Sequence, residues 1–261
     1  MNYKETAIKI LTECSRLLIG VVFIFSGFVK AVDPMGGAIK IGDYLTSFGL
    51  DMLQPFTVLA SFALSAAEFA MGVCMLLGVY RRYNSFLVLL FMAFMTPLTL
   101  YLAIFNPVSD CGCFGDAVVI TNWETFFKNL VLSAAAIMVF MNCGKMFQCF
   151  TYKVYWFVAL FSYFFCIGFA YWNYNHLPVM DFRPYKIGAN IPSLMAIPDG
   201  APEDEYKYTF VYEKDGVQKE FSLENYPQND STWTFVESKT ELIKKGYEPP
   251  VASFNIYNAE G

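Results

Sequence analysis

Five long stretches almost free of charge constrain this chain more than any motif in it. A segment that crosses hydrocarbon must supply about 20 mostly apolar residues. Residues 13–32 carry only Glu13 and Arg16 at one end and Lys30 near the other, and both long basic side chains can snorkel to an interface. Residues 55–80 contain one charge, Glu68; 83–109 and 154–175 contain none; 126–144 contain only Lys128, near the start. The first stretch is long, has mixed flanking charge and is followed by no small-residue cleavage site, so it reads as a span rather than a signal peptide. The expected fold is an all-α membrane protein, a four-helix bundle with a fifth transmembrane helix.

Charge is distributed unevenly. Residues 1–180 hold 10 Lys/Arg and 9 Asp/Glu, whereas residues 181–261 hold 8 and 14. The chain thus divides into a transmembrane domain (1–145), a connection with the fifth helix (146–180) and an acidic tail (181–261). With no basic excess, nucleic-acid binding has no electrostatic basis. The Lys and Arg of short loops mark the cytoplasmic side. The N-terminus has Lys4, Lys9 and Arg16, the loop after the second span Arg81 and Arg82, and the loop after the fourth Lys145 and Lys153. The expected topology is a multi-pass plasma (inner) membrane protein with a cytoplasmic N-terminus and an extracytoplasmic tail.

The tail alternates in the manner of strands. Residues 206–213 and 217–223 flank the turn signal Lys214-Asp215-Gly216, and 232–237 reads as a third strand. Residues 239–245 read as a short helix or a further strand, and 253–257 as another strand-like run. A module this small is marginal on its own and is expected to lean on the membrane domain or another chain.

Of seven cysteines, topology leaves only Cys111 and Cys113 facing outward, in Asp110-Cys-Gly-Cys-Phe-Gly-Asp116. Cysteines two apart reach disulfide spacing, a Cα separation of roughly 4.4–6.8 Å, if the chain bends, and Gly112 allows the bend. So tight a ring favours a bond that is passed on rather than kept. A structural turn disulfide and a pair of idle thiols stand as alternatives. A closed metal site is disfavoured, because two outward thiols and the single His176 offer too few soft ligands. Asp110 and Asp116 are expected to raise the thiol pKa values, against the redox reading. In the second span, Glu68 lies among Ala67, Ala70 and Gly72, which admit a close helix. It reads either as a proton relay or polar contact to a redox ligand, or as a carboxyl that fixes packing; an intramembrane acid needs a partner, and Arg16 and Lys30 both stand near span ends.

Arg16, Gly20, Phe23, Ser26, Gly27, Lys30, Asp33 and Pro34, with Glu68, Gly72 and the loop from Asp110 to Gly115, together resemble the DoxX/MauE superfamily of small membrane proteins over about residues 10–145. The cysteine loop favours the MauE side. The resemblance implies a four-helix DoxX-like core associated with thiol or sulfur redox chemistry, catalytic roles for Cys111 and Cys113, quinone or proton-path roles for Lys30 and Glu68, and an exported thioredoxin-like or thiol-containing partner. The fifth span and the tail depart from the family pattern. The tail has no cysteine and so is no thioredoxin-like redox domain; whether one follows Gly261 is left open. Three functions are carried forward: disulfide exchange at the outer face with electrons passed to quinone, a non-catalytic anchor or assembly subunit of a larger membrane complex, and a subunit of a thiosulfate:quinone oxidoreductase, which rests on family analogy alone.

Overall fold

The computed structural model of the chain describes residues 3–106, 108, 111–183, 186–198, 200–201, 205–214, 217–222, 225, 232–244, 246–247, 249 and 251. Two compact units emerge, Met1–Arg183 and Pro184–Gly261. The first is helical: α1 (Tyr3–Val32), α2 (Pro34–Ser47), α3 (Thr57–Leu77), α4 (Arg81–Phe105), α5 (Asn122–Met141) and α6 (Tyr155–Asn175). Five of these, all but α2, belong to segments long and apolar enough to cross a membrane. Their outer surfaces carry exposed Leu, Phe, Val and Ile, whereas Thr12, Arg16, Ser26, Lys30, Ser65, Glu68, Asn84, Thr99, Asn122, Thr125 and Asn129 are buried. Polar groups packed inside and apolar groups outside fit a lipid surrounding.

Two helices differ from the sequence reading. α1 starts about ten residues before the predicted span, because the turns from Tyr3 to Thr12, which carry Lys4, Glu5 and Lys9 among their apolar residues, form helix as well. α2 was not expected: Gly36, Gly37 and Gly42 lower its propensity. Asp33 compensates by accepting a hydrogen bond from the Gly36 amide at 2.9 Å, with Pro34 at the first helical position. Other ends follow ordinary rules. α3 stops at Gly78, whose φ of 66° a side chain rarely adopts, and α5 starts on a Thr121/Glu124 capping box.

α1 and α3 pack almost backbone to backbone. A Cβ on Gly27 would lie 2.5 Å from the Phe69 nitrogen and 2.6 Å from the Ser65 carbonyl; one on Gly72 would lie 2.6 Å from the Ile24 nitrogen. Beside this seam, Ile19, Phe23, Met75, Val88, Met92, Leu132, Ala136 and Val139 form the apolar core shared with α4 and α5. α6 closes the other side through Ala31, Ala66, Cys166 and Ala170. At one end of the seam Arg16 donates to the Met75 and Leu76 carbonyls and pairs with Glu13, which accepts from the Phe147 amide at 2.7 Å. These carbonyls end α3, so a cation there satisfies both the orphan acceptors and the helix dipole.

The second unit holds a short helix, α7 (Ile191–Met195), and an antiparallel sheet of β1 (Glu205–Lys214), β2 (Val217–Ser222) and β3 (Thr234–Lys244) in the order β2-β1-β3. β1 pairs with β2 from Thr209↔Ser222 to Lys214↔Val217, and with β3 from Glu205↔Lys244 to Glu213↔Thr234. Tyr212 makes edge contacts with Phe221 and Phe235. The segment after Glu237 is neither a helix nor a separate strand: β3 runs on to Lys244 because β1 offers a partner along its whole length. The turn residues Asp215 and Gly216 and the run 253–257 lie outside the described residues.

Gly27→Ala should lower stability by about 1–3 kcal/mol, because the new methyl meets backbone on α3. Gly168→Ala on α6, where a Cβ meets nothing within 4 Å, should be neutral or stabilising. Thermal unfolding in detergent compares the two.

Candidate functional site

The close approach at Gly27 places one face of α1 against Glu68. Lys30 Nζ lies 2.7 Å from each Glu68 carboxylate oxygen and donates to Ser26 Oγ at 3.2 Å. Ser26 Oγ in turn lies 2.7 Å from Glu68 Oε2 and 2.7 Å from the Cys113 carbonyl, its one proton serving either acceptor. Lys30 and Glu68 are both buried. The intramembrane acid therefore has its partner in Lys30, not Arg16, and buried charges so paired and hydrogen-bonded are tolerable where a lone one is not.

Ser26 ties this pair to the cysteine loop. Gly112 and Gly115 take positive φ (64° and 50°), and a Cβ on Gly112 would lie 3.1 Å from the Lys40 side chain. The turn folds the two cysteines together, with Sγ atoms 3.0 Å apart and both thiols free. Tyr44 on α2 donates to the Cys111 carbonyl at 2.6 Å, and Asn122 on α5 donates to the Val108 carbonyl at 2.9 Å. Phe114 packs edge-on against Phe25, with Lys128 Nζ 4.1 Å from its ring centroid. Cys111 and Cys113 are only 7% and 8% exposed, packed with Leu102, Val108 and Tyr44.

The electrostatics depart from the sequence reading at Cys113, not at Cys111. Cys113 is lowered to about 6: the hydrogen bond from Cys111 favours its thiolate most, and Lys128 and Lys30 add to this, against burial and Glu68. Cys111 is raised, chiefly because its proton is shared with Cys113 and secondarily by burial; the Tyr44 hydroxyl and Lys30 offset part of this. Among the described residues, Asp116 is not one of the groups that set these values. Asp116 acts with Asp181 and Asp33 on Arg183, and Asp110 lies outside the described residues.

Two cavities border the site, and a third shares one wall residue with the smaller of them. A small one, about 30 Å³, is lined by Ser26, Lys30, Glu68, Phe91, Cys113 and Lys128 and is roomy enough for about one water. A second, about 210 Å³, is lined by Lys30, Asp33, Lys40, Gly112, Asp116 and Arg183, so Lys30 borders both. The third, about 810 Å³, runs between α3, α4 and α6; Phe91 lines both it and the small cavity, and its lining residues Leu87, Leu90, Phe94 and Leu160 are exposed on the helix surface.

All four residues singled out in the sequence, Lys30, Glu68, Cys111 and Cys113, thus meet in one site. Ser26, which the sequence marked only as part of the family-like motif, joins them with Tyr44 and Lys128. Ser26 was legible as one turn from Lys30 on the same face, and Lys128 as the lone charge of its span; nothing marked Tyr44. His176 stands apart, stacked on Trp172 at 4.1 Å.

A family model described as methylamine utilisation protein MauE matches residues 8–142, and one described as a domain of unknown function (DUF8463) matches residues 206–245. No curated protein and no solved structure matches the chain.

As pH rises, the first proton should leave the cysteine pair near about 6, well below the roughly 8.5 of an ordinary thiol. Thiolate absorbance in the ultraviolet follows it. Lys128→Gln should move this midpoint up and Glu68→Gln down, since one removes an attractive and the other a repulsive charge. Glu68→Ala, which strands Lys30, should cost about 3–5 kcal/mol in unfolding measurements.

Proposed function

The chain belongs to the MauE family and is a multi-pass membrane protein, and from that premise we propose that it is a thiol–disulfide exchange protein. In the oxidised state Cys111 and Cys113 form a disulfide at the extracytoplasmic end of the bundle and pass it to an exported thiol-containing protein. The observation that carries this reading is the sulfur pair itself, 3.0 Å apart and next to two lysines. A vicinal pair with one sulfur favoured as thiolate suits a disulfide that opens readily, because the better leaving thiolate leaves faster. The family description associates such proteins with methylamine utilisation, and an exported enzyme of that process is a natural recipient of disulfides.

Electrons return from the dithiol to a membrane quinone, which takes up two electrons and two protons as the disulfide re-forms. The apolar cavity between α3, α4 and α6 supports this step. Its exposed wall suits entry from lipid, and Phe91 lines both it and the cavity that Cys113 borders. Lys30 and Glu68 lie where they can hold the charge and exchange the proton of Cys113.

Thiol trapping in intact membranes tests the proposal. Cys111 and Cys113 should become alkylatable together after reduction and be protected after oxidation. The Cys111→Ser/Cys113→Ser double variant should leave exported partner proteins short of disulfides. A pair that never changes state, or a double variant without effect on exported disulfides, overturns the reading. A stoichiometric complex that survives loss of both cysteines but not of residues 181–261 would instead support an anchoring role.

A further inference from the structure

The two cysteines of the loop share one buried apolar cluster, but only one of them borders a charged cavity. Cys113 lines the small cavity together with Lys30, Glu68 and Lys128. Its carbonyl is held by Ser26, which itself accepts from Lys30, so the main chain at Cys113 is tied to the ammonium group. Cys111 lines none of the three cavities described. Both cysteines belong to the apolar cluster with Leu102 and Val108, but only Cys113 also borders the cavity that Lys30 and Lys128 line; the Cys111 carbonyl is held by Tyr44 from α2.

We propose, building on the exchange reading above, that the partner thiolate attacks Cys111 Sγ and that Cys113 is always the leaving sulfur. The new bond joins the partner sulfur to Cys111 Sγ while the Cys111–Cys113 bond breaks, and its electron pair departs on Cys113 Sγ. The departing charge then develops beside Lys30 and Lys128. Attack at Cys113 would release the charge on Cys111, which lies outside the small cavity that Cys113, Lys30 and Lys128 line together, so that the ion is less well stabilised there even with Lys30 and the Tyr44 hydroxyl acting on it. A second thiolate of the partner next attacks the partner's own sulfur in the mixed disulfide, and Cys111 is released and takes a proton. Two partner thiols have lost two electrons to the loop; of their two protons, one stays on Cys111 and the other passes to solvent. The direction of the acid–base shifts at the pair agrees with this ending, with Cys111 as thiol and Cys113 as thiolate. Lys30 and Lys128 are positioning residues in this scheme, acting through the charge on Cys113.

The test uses the full chain in detergent, oxidised, then exposed briefly to excess reduced glutathione and quenched with N-ethylmaleimide. Tandem mass spectrometry of the loop peptide should find glutathione on Cys111 and maleimide on Cys113. Glutathione on Cys113, or equally on both, overturns the assignment while leaving exchange intact. A disulfide that never forms, or one that yields no adduct, refutes the exchange reading and this one with it. Lys128→Gln should slow adduct formation by up to about tenfold, the equivalent of one pKa unit of leaving-group stabilisation. It should also raise the thiolate midpoint, and Lys128→Arg should restore both. A Lys128→Gln variant that changes neither also overturns the assignment.

Discussion

A carboxylate in the middle of a transmembrane helix costs at least a few kcal/mol unless something meets it. Here what meets Glu68 is Lys30 from the neighbouring helix, and the meeting depends on glycine. Because Gly27 and Gly72 bring α1 and α3 to backbone contact, the lysine ammonium reaches both carboxylate oxygens at 2.7 Å. Ser26, one turn from Lys30, extends the contact to the Cys113 carbonyl. The buried pair, the helix seam and the position of the cysteine loop are therefore one construction: widening the seam by one methyl loosens all three.

That construction gives the dithiol its polarity. Two identical side chains two residues apart would share a proton evenly in water. In this loop Cys113 borders a cavity that two lysines also line while Cys111 borders none, and the proton settles on Cys111. The Lys30–Glu68 pair also moderates itself, since Glu68 opposes the thiolate that Lys30 favours. A lysine without its carboxylate would hold the thiolate harder and make the reduced loop more reluctant to be reoxidised.

Much of this was legible in the sequence, for reasons that can be named. Charge-free runs located the five long helices because lipid admits no other composition. Glu68 and Lys30 stood out because charge is rare there, and Cys111 and Cys113 through their spacing in a loop without Lys or Arg. What stayed hidden depends on three-dimensional neighbours. The burial of the loop required Tyr44 from a helix whose glycines disguised it, and the lowered pKa of Cys113 required Lys128, some fifteen residues along the chain, to swing back over Phe114. Nearby aspartates in the sequence pointed to the opposite shift, because adjacency along a chain is a poor guide to which charges a side chain faces.

The ends of the α1–α3 seam are fastened by different chemistry. Arg16 grips the last carbonyls of α3 at one end, and Lys30 grips the Glu68 side chain at the other. The two clamps lie about 21 Å apart along α1, at 1.5 Å per residue. A slip of α1 by one turn, about 5.4 Å, would break both at once and drive Gly27 and Gly72 out of register. The pair therefore behaves as a keyed shaft rather than a sliding one. Motion that admits a partner to the cysteines has to come from the loop and α2, while the lysine waiting beneath them stays in place.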